Sequence, residues 1–187
     1  MSIRSTHLTL SVAAGVIFVA GSTAVAMPVT ASDGDGGATL AAQSQLRDLN
    51  PAGVDPTDGA RSKLTMKIDD DDSETEFTLR LEGLDPAAAG RTFGAHLHFG
   101  PCVAGNGPAA LGHYNTDVVA GRSPARISPD TEVLLDFTVT KAGRAEVEAS
   151  APFAPSAGIR SIVIHHDPTH EATGAAGARL ACLPVAW

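Results

Sequence analysis

Residues 63–82, KLTMKIDDDDSETEFTLRLE, decide the fold. Leu64, Met66 and Ile68 alternate with Thr65 and Lys67. Successive side chains of a strand point to opposite faces, so this alternation puts one apolar face on a core and one polar face in water. The acidic run Asp69 to Asp72 follows. It lacks the ligand order and glycine of an EF-hand loop, and it reads as a solvated hairpin turn. Phe77, Leu79 and Leu81 repeat the alternation on the way back, and Gly83-Leu84-Asp85-Pro86 ends the return strand.

Working outward, the same signals recur. Thr92 to His98 reads as a short strand, and Val133, Leu135, Phe137 and Val139 alternate with Leu134, Asp136 and Thr138 in another. Lys141-Ala142-Gly143 is a turn, Ala145 to Ala149 and Ile159 to His165 are strands, and Leu180 to Val185 closes the chain. No stretch carries a convincing amphipathic helix. Short strands separated by turn signals predict an all-β antiparallel sandwich or barrel. The Gly- and Pro-containing loops 99–131 and 166–178 are the expected seat of function, because a rigid sheet can hold long loops over one end.

Composition narrows the partners. With 13 basic against 21 acidic residues the formal charge is −8, which disfavours general nucleic-acid binding. Charged residues at 18%, with 19 Gly and 12 Pro, exclude a coiled coil or charged helical bundle. Two cysteines are too few for a zinc ribbon or an iron–sulfur cluster. They suffice for one disulfide in an oxidising compartment.

The N-terminus predicts export. Arg4 precedes an apolar run, Leu8 to Ala20, broken by Ser11 and too short for a span of roughly 20 apolar residues. Ala24-Val25-Ala26 offers a small-x-small cleavage site, giving a signal peptide over 1–26; Val29-Thr30-Ala31 places an alternative cut after 31. An uncleaved N-terminal anchor is the competing reading. Export implies a secreted or cell-envelope protein with no membrane span in the mature chain. Residues 27–60, with SDGDGG and NPAGVDPTDG, read as a flexible tether with a first strand near its end. Residues 61–187 form the expected domain, and no internal repeat is visible.

Beyond His7, the histidines are His96, His98, His113, His165, His166 and His170. His96 and His98 form an H-x-H on a predicted strand, so both imidazoles share a face, as neighbouring metal ligands must. That motif alone is equally compatible with two surface histidines.

The wider pattern is more specific. Gly94-Ala95-His96-Leu97-His98, then Cys102, then Gly112-His113-Tyr114-Asn115, resembles the copper/zinc superoxide dismutases. Arg160-Ser161-Ile162-Val163-Ile164-His165 resembles the strand bearing their last copper histidine, and Gly174-Ala175-Ala176-Gly177-Ala178-Arg179-Leu180-Ala181-Cys182 resembles their closing signature. The resemblance runs over roughly residues 60 to 187 and is to a secreted bacterial type. It implies a Greek-key sandwich or barrel of about eight antiparallel strands with long metal-site loops. It implies copper on His96, His98, His113 and His165, with His113 in the bridging position and also a proton donor. It implies a disulfide between Cys102 and Cys182, and in Arg179 a fixed positive charge that guides superoxide, a small anion, to the copper. The implied activity is conversion of superoxide to dioxygen and hydrogen peroxide. An extracellular copper-binding protein with little or no turnover is the alternative.

The chain departs from the family at the zinc site. The family places two further histidines and an aspartate after the bridging histidine, whereas Tyr114 to Leu135 contains no histidine, only Asp117, Asp130 and Glu132 as acidic groups. Zinc favours Cys and His donors, so a copper-only centre is expected and zinc is left open. Support for the free nitrogen of His113 falls to Asp167, Glu132 or Glu171. Asp167 to Ala178 is short for the family's electrostatic loop, which implies a copper more open to solvent. His166 and His170 read as loop or surface residues, with a one-residue slip that would make His166 the ligand as the alternative to His165. Oligomeric state is not encoded in any of these patterns.

Overall fold

The computed structural model describes residues 30–31, 37–69 and 71–187. The expected signal peptide, 1–26, lies outside them. Strands β1 (Thr30–Ala31), β2 (Ala38–Gln45), β4 (Arg61–Ile68), β5 (Thr75–Glu82) and β9 (Arg144–Ala151) form one sheet in the order β1-β2-β4-β5-β9. Strands β3 (Arg47–Asp48), β7 (Ala95–His98), β10 (Ile159–His165) and β11 (Arg179–Ala186) form a second, in the order β3-β11-β10-β7. A small ribbon pairs β6 (Thr92–Phe93) with β8 (Phe137–Thr138). All pairings are antiparallel. The all-β sandwich expected from the alternation is therefore the fold observed. Among the described residues no helix is long and apolar enough to cross a membrane.

The hairpin of β4 and β5 forms in the register its alternation implies. Leu64 pairs with Leu79 and Met66 with Phe77, and all four are at most 1% exposed. They share one apolar cluster with Leu97, Ile162, Ile164 and Leu183 of the second sheet. Burying such a face drives the two sheets together, at about 25 cal/mol per Å² of apolar surface.

The expected tether over 27–60 is corrected from Ala38 onward. β2 pairs with β4 along its whole length, Leu40 and Ala42 enter the core, and β3 pairs with β11 at Ala181 and Cys182. The inward face of β2 offers little bulk in sequence, since one of its core residues is an alanine. β4 supplies the partner that a tether would not have.

Two other segments differ in detail. The strand expected over Thr92 to His98 breaks at Gly94, whose N–H donates to the Asp167 carbonyl while its own carbonyl accepts from His165 N–H. A Cβ at position 94 would lie 2.8 Å from the Ala176 Cβ, so the close approach of the second loop requires glycine here. Within Val133 to Val139 only Phe137–Thr138 is regular strand. Leu134 instead bridges to His96, and the Leu97 and Leu135 N–H groups bond to the carbonyls of Val133 and Ala95. β7 is thereby flanked on both edges, by β10 and by residues 133–135, which is why its two histidines are fully buried.

A one-turn helix, α1 (Thr116–Val119), interrupts the first long loop. The Asn115 side-chain oxygen caps it, accepting from the N–H groups of Asp117 and Val118. The disulfide between Cys102 and Cys182 ties that loop to β11, and Leu49, Ala110 and Val163 pack around it.

Candidate metal centre

The two loops and the second sheet meet at four histidines. His96 and His98 come from β7, and His165 is the last residue of β10, just beyond a register shift after Ile164. His113 comes from the first loop and bridges to His98. One nitrogen from each ring lies within 4.8 Å of the others. Centroid separations around the group, in the order His96, His113, His98, His165, are 4.0, 4.8, 5.5 and 4.9 Å. The diagonals are 6.2 Å for His96–His98 and 6.0 Å for His113–His165. The rings thus sit at the corners of a distorted square. His96 and His98 are fully buried, His165 is 5% exposed and the His113 side chain 17%.

The outer nitrogen of every ring is committed. His98 Nδ1 donates to the Leu111 carbonyl at 3.1 Å, and His165 Nδ1 to the Gly177 carbonyl at 3.3 Å. His113 Nδ1 donates to Glu132 Oε2 at 2.9 Å. His96 Nε2 donates to Thr169 Oγ1 at 2.6 Å, and that hydroxyl passes its own hydrogen to Asp136 Oδ1. Carbonyls and carboxylates only accept, so these contacts fix the tautomers. Nε2 of His98, His113 and His165 and Nδ1 of His96 are left bare. His96 Nδ1 is buried without a hydrogen-bond partner, and the Nε2 atoms of His98 and His165 face each other at 3.4 Å. An unpaired buried acceptor costs about 1–3 kcal/mol. A cation bound among these nitrogens relieves that cost, so the donor set fits a metal ion.

Protonation is suppressed to match. Burial, then the neighbouring His113, pushes His96 down to about 2. The same two causes push His98 down to about 2, partly opposed by the Leu111 carbonyl. Burial lowers His165 to about 4, with the Gly177 carbonyl opposing. Neutral imidazoles at physiological pH are the form that binds metal.

Arg179 opens β11 beside this group. Its Nη1 donates to the Gly107 carbonyl at 2.6 Å and its Nη2 to the Leu111 carbonyl at 2.5 Å. Its charge contributes to the lowering of His98 and His165, and burial lowers its own pKa. Leu111 adopts φ 59°, a left-handed conformation costly for a leucine, and its one carbonyl receives both Arg179 and His98.

The structure therefore brings together His96, His98, His113 and His165, and leaves His166 and His170 apart. His166 is exposed and paired with Asp167 at 2.7 Å, and His170 contacts Thr173. Of the three carboxylates expected to support His113, the one that does is Glu132. Sequence reading missed Thr169, Asp136 and Leu111. Asp136 carried only a strand alternation as signal, and the other two carried none.

Comparison with known proteins agrees with this geometry. A family model described as copper/zinc superoxide dismutase (SODC) matches residues 61–184. No curated protein matches the chain. Among solved structures, the chain is similar to a double mutant of a SOD-like protein from Bacillus subtilis, with a TM-score of 0.50 and 18% identity over 78% of this chain and 97% of that one. At that identity the likeness is one of fold.

Proposed function

The chain belongs to the copper/zinc superoxide dismutase family, and from that premise we propose that it is an exported, copper-dependent superoxide dismutase that works without zinc. The observation that carries the reading is the square of four imidazoles whose outer nitrogens are all committed, leaving four bare nitrogens for one ion. Imidazoles in a square arrangement suit copper. When bound, copper supplies the one-electron couple that oxidises one superoxide to dioxygen and reduces a second to hydrogen peroxide.

The protein's own groups do the rest. Bonds from the Leu111 and Gly177 carbonyls, Glu132 and the Thr169–Asp136 pair hold each ring in one orientation and one tautomer. His113 is the least buried of the four rings, so of the four it is the one best placed to pass a proton between solvent and the site. Arg179 is a fixed cation on a chain of net charge −8, and its local field, not the net charge, draws in a small anion.

The zinc-free part rests on Glu132. Its carboxylate occupies His113 Nδ1, the nitrogen that would otherwise be free for a second metal. Export is supported by the N-terminal pattern and by a disulfide of the kind that persists in oxidising compartments. The test is the dismutation rate of the exported chain loaded with copper alone. Rapid dismutation without zinc is the expected result. A fully copper-loaded chain that does not dismutate superoxide overturns the enzyme reading in favour of a copper-binding protein.

A further inference from the structure

Residues 114–132 are braced by a carboxylate. Asp117 is 1% exposed, although the arginines that bind it lie at the surface. It accepts from Arg122 Nε at 2.6 Å, from Arg126 Nε at 2.8 Å and Nη2 at 2.9 Å, and from the Arg126 backbone N–H at 3.1 Å. The Arg126 donors, then Arg122, hold its carboxyl well below the usual carboxylate range. An exposed ion pair is worth little. This one differs because it grips a backbone.

That backbone leads to the histidines. The Arg126 carbonyl accepts from Asn115 Nδ2 at 2.7 Å and from Thr131 Oγ1 at 2.9 Å. The same Asn115 amide donates to Glu132 Oε1 at 2.9 Å, while its oxygen caps α1. Asn115 cannot flip without surrendering all of these bonds. Glu132 then offers its other oxygen, Oε2, to His113 Nδ1. An unbroken path runs Asp117, Arg126, Asn115, Glu132, His113.

We propose that Asp117 is a positioning residue for His113. By fixing the Arg126 backbone on both sides of its Cα it fixes Asn115, and through Asn115 the carboxylate that keeps the His113 proton on Nδ1 and leaves Nε2 bare. The clamp performs the orienting work that a second metal on Nδ1 would perform. This deepens the proposed function and rests on it only in taking His113 as a copper ligand.

The test is Asp117→Asn in the full exported chain, studied free of copper and with Cu(II), the state in which His113 serves as a ligand. An asparagine keeps the shape but turns an N–H₂ toward the arginine donors. Two readouts are taken: the ¹⁵N shifts of the His113 ring in the copper-free chain, at about pH 8 where free histidine is neutral, and Cu(II) affinity by chelator competition. The wild type shows a single Nδ1–H form. The variant shows mixed tautomers in the copper-free chain and Cu(II) affinity about 10–100-fold weaker, the range for losing an outer-shell partner. Asp117→Glu restores part of both. Val185→Ala, a core change matched for lost thermal stability, leaves the His113 tautomer untouched. A folded Asp117→Asn protein with His113 wholly Nδ1–H and unchanged affinity overturns the proposal, and so does an equal shift in the Val185→Ala control. If Asp117→Asn does not fold, Arg126→Lys takes its place: mixed tautomers and weaker Cu(II) binding support the proposal, and an unchanged ring and affinity overturn it. Neither readout uses dismutation, so a failed activity assay does not bear on this result.

Discussion

The β4–β5 hairpin and the loop-held histidines sit in one small molecule and are built on different physics. In the hairpin, Leu64, Met66, Phe77 and Leu79 are held by burial and register. Apolar packing has no direction, so another apolar side chain of similar volume can serve there. At the candidate metal centre each ring is held by a directional bond, and all four come from residues outside the regular strands: Leu111, Gly177, Thr169 and Glu132. Stability and chemistry should therefore fail separately.

The largest expected effect lies in the hairpin. Phe77→Ala leaves a cavity opposite Met66 and should cost about 3–5 kcal/mol. Its urea midpoint should fall steeply, while the surviving folded fraction binds copper as tightly as wild type. Copper affinity lost in proportion to stability would break the separation.

The pH dependence of the copper-free chain tests the other region. His96, His98 and His165 are lowered to about 2, about 2 and about 4. Unfolded histidines take up protons near pH 6.5 while the folded ones do not, so the unfolded state binds more protons as pH falls. Stability is thus fully present above about pH 6.5 and is lost below it, by up to about 1.4 kcal/mol per histidine per pH unit. Urea midpoints from pH 8 to 5, with His98→Gln for comparison, measure it. A flat wild-type profile would mean the rings are not buried neutral.

Arg179 gives the smallest effect and the sharpest division of roles. Arg179→Glu touches no ring and should keep copper, yet slow dismutation about 10-fold or more, with the wild-type rate falling as salt rises. Arg179→Lys keeps the charge but not the two-pronged grip on the Gly107 and Leu111 carbonyls. It should recover most of the steering. Equal rates for wild type and Arg179→Glu at matched copper content would remove the guiding role.

The same division separates what is legible in the sequence from what is not. Alternation exposes β4 and β5 because their inward residues are bulky, and the four histidines stand out because their motifs are local. β2 reads as tether because an inward alanine carries little signal. The choice of Glu132 over Asp167 and Glu171 is not legible, since it depends on the bridge between Asn115 and Glu132, which pairs residues far apart in the loop. Thr169 and Leu111 act through a hydroxyl placed by tertiary packing and a carbonyl turned by a positive φ. No local pattern encodes either.

Four imidazoles and Glu132 together should make a copper centre that leaves no place for zinc. Native mass spectrometry of the metal-free chain, titrated with equal copper and zinc, counts the ions directly. One copper and no tightly held zinc in each wild-type chain is the expected count. One copper together with one retained zinc would show that Glu132 does not stand in for the second metal.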